Sequence, residues 1–176
     1  MKIKNSHEKN FVIITGMSGS GKGAVLEVFE DYGYFCVDNL PIDLISKFEK
    51  LCRQAREKIL SSALVVDVRG GETLENLPVI FANLKEINPE AMLIFMEASD
   101  KVLQRRFSET RRPHPLRMNL SLMDGIQKER NLLKSIREIA DSVIDTTELN
   151  IQDLRNVVHN RYLQIKKKGD MAVTVQ

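Results

Sequence analysis

The chain has 176 residues, 43% of them hydrophobic and 28% charged, which is typical of one globular domain long enough to bury a core. Its 26 Lys and Arg residues against 24 Asp and Glu residues give a formal net charge of +2. This balance excludes a wholly basic nucleic-acid binder and an acidic disordered chain.

Short apolar segments alternate along the chain with longer amphipathic ones. The short segments are continuously apolar or β-branched, as in strands covered on both faces, and the longer ones repeat at helical spacing. The predicted strands are 11–15, 34–38, 63–67, 92–96 and 142–145. The predicted helices are 22–32, 41–60, 74–88, 101–112, 121–140 and 151–166. This alternation predicts an α/β fold with a doubly wound, mainly parallel five-stranded sheet and helices on both faces.

The ends of the chain and its cysteines complete this outline. We expect a disordered segment at 1–10, one folded domain at 11–166 and a flexible tail at 167–176. Cys36 and Cys52 make neither a disulfide framework nor a zinc-ligand set, so we expect two buried or half-buried thiols in a cytoplasmic protein. No apolar run reaches the roughly 18 residues that a membrane helix needs, so we expect no membrane partner.

A glycine-rich segment, GMSGSGK at 16–22, follows the first predicted strand and opens the first predicted helix. Glycine lets the backbone wrap tightly enough for several N–H groups to point at phosphate oxygens, and the helix N-terminus adds partial positive charge. The Lys22 ammonium can reach the β- and γ-phosphates, so we assign it a catalytic role. The predicted phosphate-binding residues are Gly16, Met17, Ser18, Gly19, Ser20, Gly21, Lys22 and Gly23.

The segment departs from the phosphate-loop pattern GxxxxGK[ST] at its last position, which is Gly23. In that pattern the final hydroxyl coordinates Mg²⁺. Glycine in a first helical turn costs up to about 1 kcal/mol relative to alanine, so Gly23 is not there for helix propensity. We expect nucleotide binding to survive, Mg²⁺ to be held less well and hydrolysis to be slow.

Three predicted strands end in aspartate, where open α/β sheets bind their ligands. Asp67 follows an apolar lead-in, and we predict that it holds Mg²⁺ or orients the attacking water. Asp38 is either a site residue or a helix cap. Asp145 is expected to cap a turn.

A basic segment at 101–117 carries a net charge of +5, so the remainder of the chain is acidic. In small kinases a basic lid after the fourth strand closes over the γ-phosphate, and Arg111 and Arg112 are the predicted lid contacts. A solvated helix face and contacts with an RNA backbone are the alternatives. His114 is either a phosphate ligand or a polar loop residue.

Several strings together resemble the RapZ/YvcJ family of nucleotide-binding proteins, which includes an RNase adapter. They are GMSGSGK at 16–22, EDYGYFCVDNLP at 30–41, DVR at 67–69, RRFSETRRPHPL at 105–116 and IDTT at 144–147. The resemblance covers roughly residues 10 to 165 and implies a kinase-like phosphate-loop fold. It implies ATP and GTP as ligands, with at most weak hydrolysis of either nucleotide.

The resemblance also assigns residues. The loop at 16–23 would bind ATP, and a second, GTP-associated segment would consist of Asp67, Val68, Arg69 and Gly70. The family's loop usually ends in Ser or Thr. The family also has a C-terminal domain, to which RNA and metabolite binding is attributed, and we expect this chain to lack it.

Three functions are therefore compared. The leading one is a regulatory domain that binds nucleoside triphosphates and is at most a weak ATPase or GTPase. The alternatives are a small-molecule or nucleotide kinase, for which Asp38 is the candidate base, and an RNA-binding adapter fragment. The sequence leaves open whether the chain forms a homo-oligomer.

Overall fold

The computed structural model of the chain describes residues 10–55, 59, 61–67, 74–110, 113–116 and 121–163. The strands are β1 (Phe11–Gly16), β2 (Phe35–Val37), β3 (Ser62–Val65), β4 (Met92–Glu97) and β5 (Ser142–Asp145). The helices are α1 (Lys22–Asp31), α2 (Ile45–Gln54), α3 (Leu77–Ile87), α4 (Asp100–Thr110), α5 (Leu122–Ile139) and α6 (Ile151–Val158). A 3₁₀ turn (Ile42–Leu44) precedes α2, and a π-helical turn (His159–Leu163) follows α6.

The five strands form one parallel sheet in the order β2-β3-β1-β4-β5. Parallel strands need crossover connections, and here each crossover contains at least one helix. The predicted doubly wound α/β fold is confirmed.

Alternate residues of the central strand β1 enter two separate cores. Ile13 belongs to a core shared with α2, α3, α4 and α5, whereas Ile14 belongs to one shared with α1 and α6. Both side chains are fully buried. The continuous apolar composition of β1 follows from this arrangement, because both faces of the strand are covered.

The position of the helices opens a crevice at the carboxyl end of β1. The helix that follows β1 packs on one face of the sheet, whereas the helices that follow its neighbours β3 and β4 pack on the other. Ligands of open α/β sheets bind at such a switch point.

Several element boundaries differ from the predictions. The predicted helix 41–60 begins only at Ile45, because Pro41 is extended (ψ 136°) and a 3₁₀ turn follows it. The predicted helix 74–88 begins at Leu77, with a proline in its first turn. The predicted helix 151–166 ends as an α-helix at Val158 and continues as a π-helical turn.

The expectations for the cysteines and for the membrane can also be compared with the structure. Cys36 is half-buried, Cys52 is buried and no disulfide joins them, as expected. In the part of the chain that the structure describes, no helix combines the length and the apolar composition needed to cross a membrane.

Candidate functional site

The glycine-rich segment forms a tight loop between β1 and α1. Gly16 has φ 133°, and a Cβ atom there would lie 2.0 Å from the carbonyl oxygen of Met96, so only glycine fits against β4. The Met17 N–H donates to this same oxygen at 2.9 Å. Gly21, with φ 99°, precedes α1 and offers it no side-chain cap. The first N–H groups of α1 lack intrahelical acceptors and lie at a cleft, where they can bind an anion.

Lys22 is held rigidly beneath this loop. Its Nζ donates to the carbonyl oxygens of Gly16 (2.8 Å) and Met17 (3.0 Å) and lies 3.6 Å from Oδ1 of Asp67. An ammonium has three N–H bonds, so one remains for Asp67 or for an anion in the loop. The Lys22 side chain is 8% exposed and that of Asp67 18% exposed, so the pair is shielded but reachable from the cleft.

The cleft has a volume of about 1190 Å³ and is bounded by the phosphate loop and by segments that follow three strands. On one side are Asp38 and Asn39 after β2, with Asp67 after β3. On the other side are α4 and the segment 146–151 between β5 and α6. Ligand sites commonly have volumes of about 300–1,000 Å³, so the cleft has room for a nucleotide.

Arg106 of α4 forms hydrogen bonds both to the phosphate loop and to Thr146, the residue after β5. Its guanidinium donates to the Gly19 carbonyl (3.0 Å) and to both the hydroxyl (3.0 Å) and the carbonyl (2.8 Å) of Thr146. The Thr146 hydroxyl in turn donates to the Ser20 carbonyl at 3.0 Å. Burial, followed by the neighbouring Arg105, lowers the pKa of Arg106. This part of the basic segment therefore holds the loop in place, although both arginines also line the cleft.

A buried carboxylate lies behind the loop, on the side of α5. Oε1 of Glu129 accepts hydrogen bonds from the Ser18 N–H (3.0 Å) and the Ser18 hydroxyl (2.7 Å). Oε2 of Glu129 lies 3.0 Å from Nε2 of His114. Of the two sequence alternatives for His114, the structure favours the polar loop residue, because His114 lies in the loop before α5 and does not line the cleft. Its side chain is buried against α5.

The structure brings part of the predicted site together. Residues 18–23 of the loop line the cleft with Asp67 and Asp38. Gly16 and Met17 do not line it, and the Met17 side chain is buried in the apolar core. The predicted contacts Val68, Arg69, Gly70, Arg111 and Arg112 lie outside the described residues.

Asp145 lies at the end of β5, and its carboxylate caps a turn, as expected. It accepts hydrogen bonds from the N–H and the hydroxyl of Thr147. The bond from the Thr147 hydroxyl is the main cause that lowers the pKa of Asp145.

Sequence reasoning assigned no role to Glu129. A signal for it exists within α5, where Ile126, Glu129, Leu133 and Ile136 follow one another at helical spacing. Glu129 therefore occupies a position of the apolar stripe, and a carboxylate there needs polar partners.

Residues 9–166 match the family model described as the RapZ-like N-terminal domain. The chain belongs to this family. The resemblance noted in the sequence is thereby confirmed.

Curated relatives of this RapZ-like domain carry the name "nucleotide-binding protein". One from Koribacter versatilis is 47% identical over 151 residues, which cover 86% of this chain and 48% of the relative. Another from Alkaliphilus oremlandii is 41% identical over 165 residues, covering 94% of this chain and 57% of the relative. The chain spans about half the length of the curated relatives it matches.

Solved structures with a similar fold include small kinases. A shikimate kinase from Bacteroides thetaiotaomicron has a TM-score of 0.57 at 16% identity, covering 86% of this chain and 97% of its own. A gluconokinase from Sinorhizobium meliloti has a TM-score of 0.54 at 16% identity, covering 93% of this chain and 98% of its own. At this identity the likeness shows that the RapZ-like domain has a phosphate-loop kinase fold.

Proposed function

We propose that this RapZ-like domain binds a nucleoside triphosphate, ATP or GTP, with its phosphates in the loop 16–23. The observation that carries the proposal is the pairing of an uncapped helix N-terminus with the rigidly held ammonium of Lys22. Both supply positive potential at one point of the cleft. The name "nucleotide-binding protein" borne by the curated relatives supports the same ligand class.

The proposal assigns a role to each part of the cleft. The N–H groups of Met17, Ser18 and Ser20 donate within the protein. The N–H groups of Gly19, Gly21 and the first turn of α1 therefore bind the phosphate oxygens, and the third N–H of Lys22 reaches the β- and γ-phosphates. The nucleoside extends over the segment 146–151, where the cleft continues. Asp67, on the opposite side of the loop, orients a water molecule or a metal ion at the terminal phosphate.

The residues that line the cleft can bind Mg²⁺ only together with the phosphates of a nucleotide. The described residues contain no group of three or more His, Cys, Asp or Glu side chains that could hold a metal. Asp67 supplies one carboxylate, and Gly23 supplies no hydroxyl. Mg²⁺ is commonly bound by one or two carboxylates together with phosphates and water, and it neutralises phosphate charge when bound.

Any hydrolysis by this domain is expected to be slow. The Asp67 carboxylate is paired with Lys22, and the hydroxyl that completes the metal shell is missing at Gly23. The domain bounds 11–166 are part of the same proposal. So are the GTP-associated segment Val68–Gly70 and the lid contacts Arg111 and Arg112. Contacts with RNA and homo-oligomer formation stay predictions.

Calorimetric titration with ATP, GTP and ADP, each with and without Mg²⁺, tests the proposal. Lys22→Ala is expected to weaken binding at least tenfold, because a charge-assisted contact to phosphate is lost. Lys101→Ala is the matched control, since Lys101 is exposed on α4, carries the same charge and does not line the cleft. If the unaltered chain binds none of these nucleotides, the proposal is wrong.

A small-molecule kinase is the second candidate, because Asp38 and Asn39 line the same cleft as Asp67. A base at this position would accept a proton from an acceptor hydroxyl beside the terminal phosphate. A kinase would consume nucleotide sharply faster with one added hydroxyl-bearing acceptor, and Asp38→Asn would abolish that stimulation. If every acceptor gave the same rate of nucleotide consumption, the kinase candidate would be wrong and nucleotide binding would remain the proposed function.

A further inference from the structure

Glu129 and His114 are the most deeply buried acid–imidazole pair in the described part of the chain. Neither side chain has any exposed surface, and the binding of phosphates described above uses neither of them. An ionisable pair inside an apolar core is costly unless it is hydrogen-bonded, so its retention here calls for an explanation.

The hydrogen bonds around His114 define its tautomer. The Leu116 N–H donates to Nδ1 of His114 at 3.1 Å, so Nδ1 carries no proton. The ring proton is therefore on Nε2, which points at the Glu129 carboxylate 3.0 Å away. Glu129 thus receives three hydrogen bonds, two from Ser18 and one from His114, which suits an acceptor-only carboxylate.

This network connects two walls of the cleft. Ser18 belongs to the phosphate loop, whereas His114 lies between Pro113 and Pro115, which both line the cleft. The His114 ring also packs closely on α5, because a Cβ atom at Gly125 would lie 3.1 Å from Nδ1. Glu129 stands between the two walls and bonds to both.

A second contact runs alongside the first. The ring of Phe107 on α4 lies 5.0 Å from the His114 ring, centroid to centroid. A Cβ atom at Gly19 of the phosphate loop would lie 3.3 Å from the Phe107 ring. The segment 113–116 is therefore connected to the loop in two ways. One is the hydrogen-bonded chain His114–Glu129–Ser18, and the other is the ring contact between His114 and Phe107, which lies beside Gly19.

We propose that Glu129 is a positioning residue for the phosphate loop and couples its shape to the segment 113–116. The proposal rests on the nucleotide-binding function proposed above. Glu129 accepts the Ser18 N–H behind the loop, and the Met17 carbonyl accepts the Ser20 N–H, which leaves the N–H groups of Gly19, Gly21 and the first turn of α1 for phosphate. A loop that is held in shape by contacts within the protein needs less ordering when a ligand binds. The segment 113–116 cannot move away without breaking the bond between His114 and Glu129.

Glu129→Gln tests the proposal at constant volume. A glutamine places its NH₂ group either against the Nε2–H of His114 or against the N–H of Ser18, so a donor faces a donor in both orientations. We expect ADP binding to weaken roughly tenfold. We also expect the amide resonances of Ser18 and Leu116 to shift in the nucleotide-free protein, because the bridge is broken at both ends.

Two further variants separate positioning from loss of stability. Leu133→Ala removes a buried side chain one turn further along α5, and Leu133 does not line the cleft. It is expected to lower the melting temperature without changing the ADP affinity of the folded protein. His114→Gln retains an NH₂ donor for Glu129 and is expected to keep most of the affinity. Should Glu129→Gln not fold, Ser18→Ala removes one of the three hydrogen bonds and is expected to weaken ADP binding severalfold.

The outcomes distinguish this inference from the function on which it rests. If the unaltered chain binds none of ATP, GTP and ADP, the proposed function fails and the positioning role fails with it. If it binds a triphosphate but not ADP, that triphosphate replaces ADP in these titrations. If the unaltered chain binds ADP and the folded Glu129→Gln variant, or Ser18→Ala in its place, binds equally well, only the positioning role is overturned. It is also overturned if Leu133→Ala weakens ADP binding as much as Glu129→Gln does.

Discussion

Replacing Gly23 tests how much the missing hydroxyl limits the site. Gly23 is exposed in the first turn of α1, its φ is not positive, and a Cβ atom there would meet nothing within 4 Å. Serine and alanine can therefore both be introduced without strain. Helix propensity alone should raise the free energy of unfolding by about 0.5 kcal/mol for Gly23→Ser and by about 1 kcal/mol for Gly23→Ala.

The hydroxyl adds a second effect that alanine cannot supply. It gives Mg²⁺ another oxygen ligand beside the phosphates, and losing a supporting group at a metal site costs about 10- to 100-fold in affinity. We therefore expect Mg²⁺ to tighten nucleotide binding about tenfold more in Gly23→Ser than in Gly23→Ala, which corresponds to about 1.4 kcal/mol. Mg²⁺-dependent turnover should rise in the serine variant only.

The assay is a calorimetric titration of each variant with ADP and with a slowly hydrolysed ATP analogue, in Mg²⁺ and in EDTA. Phosphate release from ATP under the same conditions measures turnover. Alanine serves as the matched control, because it changes the helix in the same direction without adding an oxygen. If the serine variant gains no more Mg²⁺ dependence than the alanine variant, Gly23 does not limit the metal, and the reasoning is refuted.

Two further predictions follow from the backbone and from a half-buried thiol. Gly16→Ala should lower the free energy of unfolding by at least about 2 kcal/mol, because its Cβ overlaps the Met96 carbonyl. Gly33→Ala, at φ 78° in open space, should lower it by only about 1–2 kcal/mol. Denaturant titrations measure both losses, and equal losses would contradict this prediction. Burial, followed by the Glu30 carboxylate, raises the pKa of Cys36 to about 11. Its alkylation by iodoacetamide, followed by peptide mass spectrometry, should therefore be roughly a hundredfold slower at pH 8 than that of a free thiol, and its rate should increase up to about pH 11. A rate that reaches its plateau near pH 9 would show the thiol to be unperturbed.

Much of the fold could be predicted because its signals are local. The apolar composition of β1 and β4 reflects burial on both faces, and this pattern alone indicates a parallel sheet. Element boundaries were predicted less well. The amphipathic pattern begins at Pro41, whereas α2 begins at Ile45, because periodicity does not distinguish a 3₁₀ turn from an α-helix.

The sequence by itself determined the order of the elements and the phosphate loop, since each depends on residues that are adjacent in the chain. Gly21 and Lys22 have their roles because of local backbone geometry, which a short motif records. Only the tertiary structure placed Asp67 3.6 Å from the Lys22 ammonium and Arg106 against Thr146. These partners are far apart in sequence, and periodicity states which face a residue occupies but not which side chain it meets there. That choice depends on how the helices pack across the sheet.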